Sequence, residues 1–191
     1  DSGLVEVDGQ AIDLLNRREM RVLRSRFGVL FQGAALLQWM NLFDNVALPL
    51  RERTSLGEAE IAKRVEERLE WVGLLDAAER LPAEVSGGMQ KRAGLARAMV
   101  MDPEILLYDE PTSGLDPVTS RSIDELMLRT NRERGATSVV VTHDLISALA
   151  VGSRILMLHE GQVVEYCTPE AFVKSEVKVV QDFLAAQQIT G

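Results

Sequence analysis

The chain has 191 residues, 46% hydrophobic and 26% charged, with a formal net charge of -8. That length suits one α/β domain with room for an inserted helical segment, and the composition excludes a disordered chain. The acidic balance argues against a nucleic-acid-binding surface, the single cysteine (Cys167) excludes a disulfide framework and suits a reducing cytoplasm, and no apolar run approaches the roughly 20 residues that cross a bilayer.

In chain order, Gly3-Leu4-Val5-Glu6-Val7-Asp8-Gly9 alternates between glycines and predicts a short strand with a turn. Arg17 to Arg26 follows as a helix, and Phe27-Gly28-Val29-Leu30-Phe31 as a short buried strand ending at Gln32. A loop runs from Gly33 to Asn41. Leu42 to Leu50 is expected to be a short helix that stops near Pro49. Ser55-Leu56-Gly57-Glu58 has the spacing of a capping box. Beyond it Ile61, Val65, Leu69 and Val72 fall on one helical face, with Glu60, Lys63, Arg64 and Glu67 outside it. A further helix opens at Ser86. Residues 42–102 are thus expected to form a helical subdomain set into an α/β core of residues 1–41 and 103–191, all within a single domain.

From Pro103 the pattern changes. Ile105-Leu106-Leu107-Tyr108-Asp109 and Ser138-Val139-Val140-Val141-Thr142 are apolar runs of strand length flanking a helix from about Pro117 to Arg134. Such runs predict parallel strands covered on both faces. Ile155 to Leu158 and Val163-Val164 read as two strands joined by a tight turn at Glu160-Gly161. A C-terminal helical segment, Val177 to Gln188, carries Val177, Val180 and Leu184 on one face; that stripe serves either simple packing or a partner.

Ligands of open α/β sheets sit beyond the carboxyl ends of the strands. Gln32, Asp109, Glu110 and His143 all fall at such ends. Beside a nucleoside triphosphate, Asp109 can hold Mg²⁺ through water, a hard cation that keeps part of its hydration shell, and Glu110 can polarise a water for attack on the γ-phosphate. Two acids at a solvated strand end are the plain alternative. His143 is equally readable as a hydrogen-bonded structural histidine. Ser86-Gly87-Gly88 is either an anion site, with exposed N–H groups that glycine lets phosphate oxygens approach, or an ordinary serine N-cap. Asp116-Pro117 is fully explained as an N-cap followed by proline in the first helical turn.

Together and in order, these pieces resemble the nucleotide-binding subunit of ABC transporters. The carriers are Gln32 as the Q-loop, Val85-Ser86-Gly87-Gly88-Met89-Gln90 as the signature, Ile105 to Asp109 with Glu110 as Walker B and catalytic glutamate, Ser113-Gly114-Leu115-Asp116 as the D-loop, and His143 as the switch histidine. Val85 and Met89 depart from the usual LSGGQ, but the Ser-Gly-Gly core is intact. Val29 to Leu36, Asn41 to Glu52 and Ser86-Gly87-Gly88-Met89 with the basic residues after it are similar to the Mla/Mce-type lipid transporter ATPases.

The resemblance implies a P-loop NTPase (RecA-like) core with an inserted helical subdomain, and ATP and Mg²⁺ as ligands. It implies catalytic roles for Glu110, His143 and Gln32, Mg²⁺ held by Asp109 and Gln32, and nucleotide contacts from Ser86, Gly87, Gly88, Asp109, Gln32 and Asp116. Two subunits would close head to tail, the Ser86 helix of one facing the γ-phosphate held by the other. A membrane permease would dock through Leu42–Leu50, whose apolar residues can equally be core. The protein would sit in the cytoplasm, peripheral on the inner face of the membrane, and power lipid transport (phospholipid in the Mla type) without touching the lipid or any nucleic acid.

The phosphate-cradling G-x-x-x-x-G-K-[ST] does not occur in these residues, which contain no Gly-Lys pair. Asp1-Ser2-Gly3-Leu4-Val5 resembles the segment that follows the P-loop helix in these ATPases, so the sequence is expected to begin just downstream of it, leaving a sheet edge and apolar surface uncovered. Three other readings remain open: a soluble ABC ATPase of the repair or translation type, a P-loop-less interaction subunit, and an ABC importer for another cargo.

Overall fold

The computed structural model describes residues 3–187. Asp1, Ser2 and the tail from Gln188, parts of the N-terminal resemblance and of the expected C-terminal helix, lie outside the described residues. The described chain opens with an antiparallel hairpin, β1 (Glu6–Val7) and β2 (Gln10–Ala11), turned at Asp8 and Gly9. The expected strand with a turn is one arm of that pair. α1 (Arg17–Ser25) starts in a reciprocal capping box: Asn16 Oδ1 accepts from the Arg18 and Glu19 N–H groups, and the Glu19 carboxylate accepts from the Asn16 N–H. β3 (Phe27–Leu30) follows directly.

Three helices come next. α2 (Leu42–Arg53) does not stop near Pro49 but runs through it. Proline costs this helix one backbone hydrogen bond, yet the following turn buries Leu50 completely, and Arg51 reaches both Asp44 (2.7 Å) and Glu58 (2.9 Å). Glu58 is thereby committed. α3 (Glu58–Trp71) is capped by Gly57 with no side-chain hydrogen bond, and Glu58 stands at its first position rather than its third, so the capping box expected from Ser55 does not form. The stripe of Ile61, Val65, Leu69 and Val72 is buried as expected. α4 (Gly87–Met99) is capped by Ser86, whose Oγ accepts from the Met89 N–H at 3.3 Å.

β4 (Ile105–Asp109), α5 (Pro117–Arg134) and β5 (Thr137–Val141) form the expected strand–helix–strand unit. The sheet order is β3-β4-β5, all parallel, with Leu30 beside Tyr108 and Tyr108 beside Val140. Its burial is one-sided: the apolar runs suggest two covered faces, and the second face is instead apolar surface left uncovered, as also expected. Gly28, Leu30, Leu106 and Tyr108 point into a core built with α4 and α5. The opposite face carries Val29 and Leu107, half-buried, and Val139 and Val141, exposed. A continuous apolar run does not say how many of its faces are covered.

α6 (Leu145–Val151) leads to the antiparallel pair β6 (Ile155–His159) and β7 (Gln162–Cys167), joined at Glu160-Gly161 with positive φ at both, the tight turn expected. α7 (Pro169–Val173) and α8 (Lys178–Ala186) close the described chain. Val180 and Leu184 are buried, whereas Val177 caps α8 and is partly exposed. α4 ties the layers together: Ala93, Ala96 and Val100 pack with α2 and α3, and Leu95 and Met99 pack under the sheet.

Candidate functional site

The strand ends converge as the sequence suggests. β4 ends at Asp109, and the chain then takes a left-handed turn at Glu110, whose φ is +47°. The Glu110 N–H donates to the Val141 carbonyl at 2.9 Å, which draws the glutamate across to the end of β5. There its Oε1 accepts from the His143 N–H at 3.0 Å and lies 2.8 Å from His143 Nδ1, while Thr142 Oγ1 is 3.5 Å from Oε2. The carboxylate is mostly sheltered and the imidazole is 73% exposed. The hydrogen bond to Glu110, with its negative charge, holds the His143 pKa above the usual 6.5. The stabilisation this gives is complete below the ordinary histidine range and is lost as pH rises through the folded-state value.

Asp109 points the other way. It is exposed on the uncovered face, in register with Val141, and among the described residues its side chain makes no hydrogen bond or ion pair. Adjacent carboxylates thus face different surroundings, one free to take a ligand and one tied to histidine. Gln32 lies two residues past β3, exposed, with Nε2 3.4 Å from Ser113 Oγ on the loop after Glu110. The structure therefore brings Gln32 to the D-loop serine. Among the described residues no cluster of three His, Cys, Asp or Glu side chains exists. One free carboxylate fits Mg²⁺, which keeps most of its water, better than a metal demanding a full protein cage.

The two helix starts lie against one another. Asp116 Oδ1 accepts from the Val118 and Thr119 N–H groups at 3.0 Å and Oδ2 accepts from Thr119 Oγ1 at 2.5 Å, so Asp116 is fully used as the cap of α5. Thr119 in turn fills the space beside Gly88: a Cβ on Gly88 would overlap its methyl group. Gly87 is exposed, and a Cβ there would meet Leu115 Cδ2 at an ordinary contact distance of 3.8 Å. One signature glycine is thus explained by packing, and Ser86 with Gly87 is left as open backbone at a helix N-terminus, able to take an anion.

Two residues escaped the sequence reading. Lys91, one turn into α4, is buried, and its Nζ donates to the Glu110 carbonyl at 2.9 Å. Its signal was its place on the inner face of α4 with Leu95 and Met99, four and eight residues on. Trp39 is 74% exposed just ahead of α2, whereas Leu42, Val46, Ala47 and Leu50 are wholly buried. Four of the apolar residues of Leu42–Leu50 are thus core, Phe43, Leu48 and Pro49 stay partly exposed, and Trp39 adds free aromatic surface beside them.

Residues 1–113 match the family described as ABC transporter. The chain is 43% identical over 189 residues to the probable ribonucleotide transport ATP-binding protein mkl of Mycobacterium leprae, covering 99% of this chain and 54% of that one. It is 40% identical over 187 residues to the intermembrane phospholipid transport system ATP-binding protein MlaF of Haemophilus influenzae, covering 98% and 71%. The chain spans about half the length of the mkl relatives. Among solved structures, the dimeric post-hydrolysis state of the ATP-binding cassette MJ0796 bound to ADP and Pi superposes with a TM-score of 0.78 at 35% identity, over 88% of this chain and 74% of that one. The fold is accordingly that of the ABC ATPase cassettes, an α/β P-loop NTPase fold.

Proposed function

The chain belongs to the ABC transporter family, and from that membership we propose that it is the motor part of an ATP-hydrolysing transporter subunit that drives phospholipid movement. The observation that carries this is the Glu110–His143 pair, 2.8 Å apart at the ends of adjacent parallel strands beside an unengaged Asp109. Glu110 is the general base that takes a proton from the attacking water, and His143 holds its carboxylate in place. Asp109, with Gln32, would hold Mg²⁺, which would supply charge neutralisation at the phosphates. Ser86 and Gly87 present N–H groups to a γ-phosphate held by a second copy, and within the chain Asp116 caps α5, whose Thr119 packs against Gly88 and steadies that helix start.

Residues 42–102 act as the helical subdomain that meets a membrane permease, with Trp39 beside α2 as the anchor. The complex would lie on the cytoplasmic face of the membrane, and the cargo would not touch this chain. The phospholipid reading follows the MlaF relative; the mkl relative, named for ribonucleotide transport, favours a second reading in which the same motor serves another cargo. Recovery of a phospholipid permease with the full-length protein supports the first reading, and recovery of a different permease the second.

The direct test is Glu110→Gln in the full-length protein. ATP turnover should fall by about 10² or more with nucleotide still bound, the scale expected for a lost general base; unchanged turnover removes Glu110 from the role. The 191 residues themselves contain no G-x-x-x-x-G-K-[ST] to cradle the β- and γ-phosphates. We therefore expect these residues alone neither to bind MgATP tightly nor to hydrolyse it. Calorimetry showing low-micromolar binding would overturn that.

A further inference from the structure

Lysine is almost never buried without a partner. Lys91 is 6% exposed and forms no ion pair among the described residues. Its ammonium group instead donates to one backbone carbonyl, that of Glu110, at 2.9 Å. That carbonyl belongs to a residue in the left-handed region, a conformation costing an ordinary residue about 1 kcal/mol or more. Glu110 is held there from every side. Its N–H is taken by Val141, its carbonyl by Lys91 and by the Ser113 N–H at 3.2 Å, and its carboxylate by His143. A leucine would fill the same space without desolvating a charge, so packing alone does not account for a lysine here. Burial lowers the Lys91 pKa, opposed by the charges of Glu110 and Asp109.

We propose that Lys91 is a positioning residue: from α4 it pins the Glu110 peptide in its left-handed turn, and so fixes the carboxylate against His143. The catalytic part of this inference rests on the reading of Glu110 as the base of ATP hydrolysis; the geometric part does not. A charged donor makes a stronger hydrogen bond than a neutral one, and the buried setting strengthens it further. Without it the peptide is free to rotate out of the left-handed region, carrying the carboxylate away from the imidazole.

The chain holds two histidines, His143 and His159, so the imidazole titration of His143 is readable by NMR. Lys91→Met should move the His143 midpoint down toward that of Glu110→Gln, and Lys91→Arg should restore most of the difference. A merely structural loss would lower the melting temperature and leave that midpoint in place. In the full-length protein, Lys91→Met should lower kcat for ATP by about tenfold or more with little change in KM, as expected for a reacting group displaced by part of an ångström. If Glu110→Gln leaves turnover unchanged, the reading of Glu110 fails while the titration still judges the positioning. If Glu110→Gln slows turnover and Lys91→Met shifts neither midpoint nor kcat, the proposal is wrong. Should Lys91→Met not fold, the unmutated chain decides: a through-hydrogen-bond coupling between Lys91 Nζ and the Glu110 carbonyl carbon is expected, and its absence overturns the contact.

Discussion

Tyr108 shows how far a single side chain departs from what its sequence position suggests. It sits at the centre of the sheet, almost wholly buried, and its hydroxyl has no hydrogen-bond partner among the described residues. The neighbouring hydroxyl protons are committed elsewhere, Ser138 to Asn131 Oδ1 and Thr130 to the Leu126 carbonyl. Burial pushes the Tyr108 pKa up to about 12. The folded chain therefore holds this proton more tightly than the unfolded one, and stability should fall as pH rises from about 10, the ordinary tyrosine value, to about 12. Tyr108→Phe keeps the ring and removes the orphaned hydroxyl. It should leave stability at neutral pH unchanged or raise it by up to about 1 kcal/mol, and should flatten the alkaline loss. Urea midpoints at neutral and alkaline pH check both, and a large loss at neutral pH would mean that the hydroxyl has a partner after all. Glu110 and His143 were legible in sequence because strand ends are legible. Lys91 was not, because a lysine among Gln90 and Arg92 reads as solvated surface until the helix is seen to lean on the sheet.

At the scale of elements, α4 is the member whose placement is least forgiving. A Cβ on Gly28 of β3 would overlap the Ala98 carbonyl, one on Gly94 would come within 2.9 Å of Leu30 Cδ1, and one on Gly88 would overlap the Thr119 methyl. These three glycines set how closely α4 approaches β3 and α5. Gly88→Ala should therefore destabilise the chain by about 1–3 kcal/mol, the usual cost of overpacking. Thr119→Ser, which removes the methyl and keeps the hydroxyl on Asp116, should recover much of that loss in the double variant. Equal stability of Gly88→Ala and the unaltered chain, read from urea midpoints, would return Gly88 to a purely ligand-facing role. The sequence misled at elements wherever a local rule met a stronger tertiary term. Pro49 should end a helix, but buried Leu50 and bridging Arg51 carry the chain one further turn. Ser55 and Glu58 have capping-box spacing, but Arg51 takes the glutamate and the helix begins at it.

For the whole molecule, the order of strands and helices was readable because each has its own period and its own punctuation. The apolar runs alone did not give the number of layers, since a buried strand and a half-covered one can share a composition; the expectation of an uncovered apolar surface came from the N-terminal resemblance instead. The three-stranded sheet is packed by α4 and α5 on one side, while Val139 and Val141 on the other are 52% and 61% exposed. β6 and β7 add Leu156, Leu158, Val163 and Tyr166 to the exposed apolar residues. A separate molecule that covered such a face and bound only the folded chain would add a mass-action term to the folding equilibrium, and the measured stability would then not be a constant of the sequence. Beyond saturation it would climb by about 1.4 kcal/mol for every tenfold rise in the concentration of the covering surface, and the melting temperature would become a report on what else is in the solution.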